Sequence, residues 1–133
     1  MIGFFDTCVH IALLRGELTL PDILARATIG PVRLSPVVAS ELLRGATQHA
    51  RPHVEKLVAR LTPIEPPSWG MAFVETGRLL PKVFDEHEAI GLARLQNDVL
   101  IALTARHCGA VLVTRDQHFL RLQTELQFAL RVV

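Results

Sequence analysis

QNDVLIALTARHCGAVLVTRDQHF, residues 96–119, is the stretch whose reading decides the fold of this chain. It predicts a helix, a stop, a strand and a turn, with an acid near each end. Asp98 stands at the expected helix start, with Asn97 before it as N-cap and Gly109 as the stop. Val99, Leu100, Ile101, Ala102, Leu103 and Ala105 make this helix apolar on most faces, the pattern of a helix buried within a domain. Residues 110–113 are a short, continuously apolar run, as expected of a buried parallel strand. The run breaks at Thr114-Arg115-Asp116, so Asp116 falls at the carboxyl end of a strand, the edge where open α/β sheets hold ligands.

Working outward, the same alternation recurs. Residues 1–5 read as a strand ending at Asp6, followed by helices over 7–15 and 17–27, the second with Pro21 in its first turn. Gly30-Pro31 is a break before a strand at 32–34. Ser35-Pro36 pairs an N-cap with a first-position proline, opening the helix that carries Glu41 and stops at Gly45. Pro52 opens another helix, and a short strand at 62–64 is expected within the proline-marked connection after it. A helix over 68–80, ended by Pro81, precedes a helical stretch at 85–95. Beyond Asp116, a helical turn at 118–122 and a last strand at 127–132 complete the chain. Strands separated by helices predict a single α/β domain over 1–133, with a central, mostly parallel sheet covered by helices on both faces.

Composition narrows the function. Half of the 133 residues are apolar, enough for one core. There is no apolar run of about eighteen residues, so no membrane span is expected. The start, MIGFFDTC, meets an acid at position 6 and resembles no signal peptide. Cys8 and Cys108 make no disulfide framework, which fits a reducing cytoplasm. Net charge +1 argues against a general nucleic-acid coat protein. Of the 14 cations only Lys56 and Lys82 are lysine, and arginine suits bidentate phosphate or carboxylate recognition.

Asp6 ends the first strand, Glu41 lies near the start of the helix after the second, Asp98 starts the central helix and Asp116 ends the next strand. In a parallel sheet, strand carboxyl ends and helix amino ends share one edge, so these acids are expected to converge. Carboxylates in one pocket repel and resist ionising together. A divalent cation offsets that repulsion, and an oxygen-only ligand set suits Mg²⁺ or Mn²⁺. Such a cation makes hydroxide available near neutral pH and neutralises a phosphodiester oxygen during in-line attack. Taken singly, Asp6 and Asp116 also read as turn residues, and Asp98 and Glu41 as helix-terminal charges.

With these residues in place, the chain resembles the PIN-domain ribonucleases and, within them, the VapC-type toxins of toxin–antitoxin pairs. FFDTCVHIALL, LSPVVASELLRG, NDVLIALTARHCGAVLVTRD and the following HF carry the resemblance in order, over nearly the whole chain. It implies a Mg²⁺-dependent endoribonuclease in which Asp6, Glu41, Asp98 and Asp116 bind the metal and catalyse, with Mn²⁺ as a possible substitute. Thr7 and Thr114 match positions where a hydroxyl supports the site; Asn97 and Arg115 stand beside acids and read equally as supports or as a cap and a solvated cation. The resemblance further implies an RNA substrate, a homodimer, and an antitoxin lying over the helices at 7–27. Leu13, Leu14, Leu20 and Leu24 cannot all face one core.

The chain departs from the family at His118, where many relatives carry a further acid, and at His10 and Cys8. His118 reads either as a turn residue or as a substitute ligand. A competing expectation from another class is a catalytically silent module that binds RNA or protein; the missing acid at 118 and the low net charge motivate it. A phosphoryl-transfer receiver domain is set aside, since Asp6 lacks an acidic neighbour and no lysine follows Lys82.

Overall fold

Four strands in the order β2-β1-β3-β4, all parallel, form the sheet of this computed structural model, which describes residues 1–85 and 91–133. The chain runs β1 Gly3–Phe5, α1 Thr7–Leu14, α2 Leu20–Ala27, β2 Val32–Arg33, α3 Pro36–Gly45, α4 Arg51–Arg60 and α5 Trp69–Val83. It continues through α6 Leu92–Cys108, β3 Val111–Thr114, α7 His118–Leu126 and β4 Ala129–Val132. The expected α/β class, a parallel sheet with helices on both faces, is what the chain adopts.

Alternation along the strands builds the two faces. Phe4 and Leu112 point into a core shared with Val38, Leu80, Leu95, Val99 and Phe119. Their neighbours Phe5 and Val113 point the other way, against Val9, Ile23 and Ala27 of α1 and α2. Each large side chain buried in this way contributes roughly 1.5–3 kcal/mol. Gly3 belongs to the α1–α2 face, and a Cβ there would come within 2.5 Å of Ile29 Cδ1. The close approach of the segment after α2 therefore uses a glycine. Among the described residues, no helix is long and apolar enough to cross a membrane.

Several boundaries differ from expectation. The central helix begins at Leu92, six residues before Asp98, and its N-cap is Gly91 at φ +116°, not Asn97. Leu95 is fully buried, so the apolar stripe extends back past Asp98 and burial continues the helix through it. The expected helix at 85–95 falls partly on 86–90, outside the described residues. Glu41 likewise sits within α3 rather than near its start. The second helix begins at Leu20, capped by the Thr19 hydroxyl, so residues 17–19 are not helical. Pro81 does not end α5; it lies in the last turn, where burial of Leu79, Leu80 and Val83 carries the helix on. Instead of a strand at 62–64, a single bridge joins Leu34 to Pro63. The expected turn at 118–122 is a full helix, α7, because Phe119, Leu122 and Leu126 bury one face. Gly109 stops α6 in the left-handed region at φ +60°, and Ser35 caps α3 through Val37 N, both as expected.

Candidate metal centre

The register of β1 and β3 positions the site. Phe5 pairs with Val113, so the next residues, Asp6 and Thr114, emerge side by side at the carboxyl edge. Asp6 caps α1, accepting from Thr7 N at 2.8 Å through Oδ1. Its Oδ2 accepts from the Thr114 hydroxyl at 3.0 Å and the Cys8 thiol at 3.2 Å. Burial raises the Asp6 pKa, and these three bonds oppose the rise. Burial and the Asp6 charge push Cys8 up to about 11, so its thiol stays a neutral donor.

Thr7 reaches across to α3. Its hydroxyl donates to Glu41 Oε1 at 3.0 Å, tying the third-helix acid to the turn that holds Asp6. Glu41 is also raised by burial, with Thr7 and Asn97 opposing. Asn97 thus stands beside Glu41 and serves no capping role. The Arg115 guanidinium pairs with Glu17 at 3.1 Å on the surface.

Asp98 faces inward from α6 and is 5% exposed. Its Oδ2 is shielded from solvent and has no hydrogen-bond partner among the described residues. Burial first, then the charges of Asp6 and Asp116, push its pKa up to about 8. Asp116 behaves oppositely. Burial works against its charge, but the His118 amide and the Arg94 guanidinium hold it below the ordinary carboxylate range. The His118 amide donates to Oδ1 at 2.9 Å and Arg94 to Oδ2 at 2.8 Å. Thr114 Oγ1 accepts from Asp116 N at 2.9 Å, so one hydroxyl orients both strand-end acids.

An unpaired, buried carboxylate oxygen among other acids costs free energy unless a cation joins it. Asp98, Asp116 and His118 each offer an atom within 4.8 Å of the others, forming a group able to hold a metal ion. The residues therefore fit a divalent cation, with Asp6 and Glu41 beside the group. Arg94 escaped the sequence reading. It lies four residues before Asp98, on the same helix face, but a helix begun at Asp98 hides that spacing.

The chain belongs to the PIN domain family, whose profile matches residues 3–125. No curated protein matches it in sequence. Solved structures that share its fold include three VapBC proteins. VapBC-1 from nontypeable Haemophilus influenzae is 22% identical with a TM-score of 0.68, covering 99% of this chain and 98% of that one. DNA-bound VapBC from Salmonella typhimurium is 19% identical with a TM-score of 0.68 over the same shares. VapBC2 from Rickettsia felis, bound to a promoter DNA fragment, is 18% identical with a TM-score of 0.62, covering 100% and 99%.

Proposed function

We propose that the chain is the toxin of a toxin–antitoxin pair and acts in the cytoplasm as a metal-dependent endoribonuclease. One observation carries this reading: the buried, unpartnered Asp98 oxygen, in electrostatic reach of Asp6, Glu41 and Asp116. Membership of the PIN domain family and the fold shared with VapBC proteins support it. The proposed catalytic and metal-binding set is Asp6, Glu41, Asp98 and Asp116, with Mg²⁺ as the cellular ion and Mn²⁺ as substitute.

When bound, the cation supplies charge neutralisation at the scissile phosphodiester and acidifies a water. The protein does the rest. Thr114 and Thr7 hold Asp6 and Glu41 in place. Asp98, its pKa pushed up to about 8 by burial and the neighbouring acids, would hold the cation as a carboxylate. Arg94, with 58% of its side chain exposed, is free to exchange Asp116 for an RNA phosphate. Arg15 lines a groove of about 260 Å³ together with Glu41, on a route for the RNA backbone.

Leu14 and Leu20 are 47% and 45% exposed, an apolar strip on the first two helices suited to an antitoxin segment. Met71 and Val74 leave a second apolar face on α5, suited to a second copy of the chain.

The test is cleavage of a mixed structured RNA pool by wild type and Asp98→Asn, purified identically, in Mg²⁺, Mn²⁺ and EDTA. Discrete products that require metal and vanish in the variant are expected. Equal cleavage by both proteins overturns the assignment of the site. RNA binding without product in either metal supports the silent module instead.

A further inference from the structure

The turn after β3 brings a nitrogen into the acid cluster. His118 opens α7 directly after the Asp116 turn, and its amide is fixed on Asp116 Oδ1. Its ring stands edge-on to the fully buried Phe84, with centroids 5.6 Å apart at 70°. The ring is therefore held by packing. Its Nδ1 is shielded from solvent and without a hydrogen-bond partner among the described residues. Asp116 Oδ1 is 3.6 Å away, too long for a hydrogen bond. Asp98 Oδ2, the other orphan at this edge, belongs to a residue only 5% exposed. Asp98, Asp116 and His118 each offer a ligand atom within 4.8 Å of the others, and two of the three residues carry a shielded polar atom without a hydrogen-bond partner among the described residues.

Burying unpaired polar atoms is costly, and native proteins rarely retain two together without a ligand. We infer that His118 Nδ1 is a direct ligand of the divalent cation, completing with Asp98 and Asp116 a mixed nitrogen–oxygen site that prefers Mn²⁺ to Mg²⁺. Mg²⁺ demands oxygen ligands and keeps its waters, whereas nitrogen donors favour first-row transition ions. His118 then replaces a carboxylate with a neutral ligand. That lowers the negative charge that folding gathers at this edge and changes which ion binds most tightly.

The inference rests on the metal-dependent reading of the site, and the experiment separates the two. Mn²⁺ is added to wild type, to wild type with ¹⁵N-labelled histidine, and to His118→Asp, His118→Gln and Asp98→Asn. Pulsed EPR reads nitrogen coupling to Mn²⁺, and calorimetry reads Mn²⁺ and Mg²⁺ affinities. Nitrogen coupling that shifts with the label and disappears in His118→Asp is expected. That variant should still bind Mn²⁺ while losing about tenfold or more of its preference over Mg²⁺. If His118→Asp fails to fold, His118→Gln makes the same comparison. Mn²⁺ bound by wild type, lost in Asp98→Asn, and surrounded only by oxygen would overturn the role of His118 and leave the metal site standing. Equal, weak binding by wild type and Asp98→Asn would overturn both.

Discussion

Thr114 and Asp6, 108 residues apart, are joined by a buried 3.0 Å hydrogen bond from hydroxyl to carboxylate. The bond follows from the parallel register of β1 and β3, and the same hydroxyl accepts from Asp116 N. Thr114→Val keeps the shape and deletes both bonds. It should cost about 1–3 kcal/mol by denaturant unfolding and weaken divalent-cation binding about tenfold or more. Thr114→Ser should restore most of both. A valine variant as stable and as tight-binding as wild type would show that this hydroxyl orients nothing.

Asp98 gives the metal-free protein a pH-dependent stability. Its folded pKa of about 8 lies above its ordinary 3.8. Between these values the folded protein holds a proton that the unfolded chain has lost. The stabilisation is complete below 3.8, falls as pH rises, and is gone once pH passes about 8. Asp98→Asn cannot ionise, so in EDTA it should unfold later than wild type at about pH 9 and converge toward it at about pH 5. Added Mn²⁺ should reverse the order by stabilising wild type alone. Parallel stability curves for the two proteins in EDTA would contradict this.

Arg94 pairs with Asp116, one of the acids proposed to hold the cation. The pair spans 2.8 Å, with 58% of the Arg94 side chain exposed, so solvent screens it. Arg94→Ala should change folding stability by less than about 1 kcal/mol. By calorimetry the same variant should bind Mn²⁺ several-fold more tightly, since a positive charge leaves the site. Weaker binding would assign Arg94 to holding Asp116 in its productive orientation.

His10 is buried on α1 beside Phe5, its Nε2 unpaired, and burial lowers its pKa to about 4 from 6.5. The unfolded chain takes up a proton between these values and the folded protein does not. The stability from a neutral His10 is present above 6.5 and lost as pH falls through about 4. His10→Leu should therefore gain on wild type as pH drops through this window, by roughly 1–3 kcal/mol. A constant difference between the two proteins across the window would mean that His10 protonates freely in the fold.

Local chemistry made much of the chain legible. Ser35-Pro36 and Gly109 marked helix ends because capping depends on a few adjacent residues. Residues 110–113 announced a buried strand through an unbroken apolar run, and Asp6 and Asp116 were placed at one edge because strand ends follow from the same pattern. The errors lay where burial overrides a local signal. Asn97 looks like a cap and Pro81 like a stop, but Leu95 and Val83 are buried and extend their helices past both.

By itself, then, the sequence determined the alternation of strands and helices, the parallel sheet, and the set of acids brought to one edge, because each depends on periodicity and neighbouring residues. Tertiary structure alone decided that Thr114 binds Asp6, that Thr7 binds Glu41, that Arg94 covers Asp116, and that Arg115 turns away to Glu17. It also decided that Asp98, Asp116 and His118 come together, with Asp98 Oδ2 and His118 Nδ1 unpaired among the described residues. Hydrogen bonding and desolvation depend on distances of a few ångströms between residues far apart in the chain, and those distances exist only once the sheet register is set.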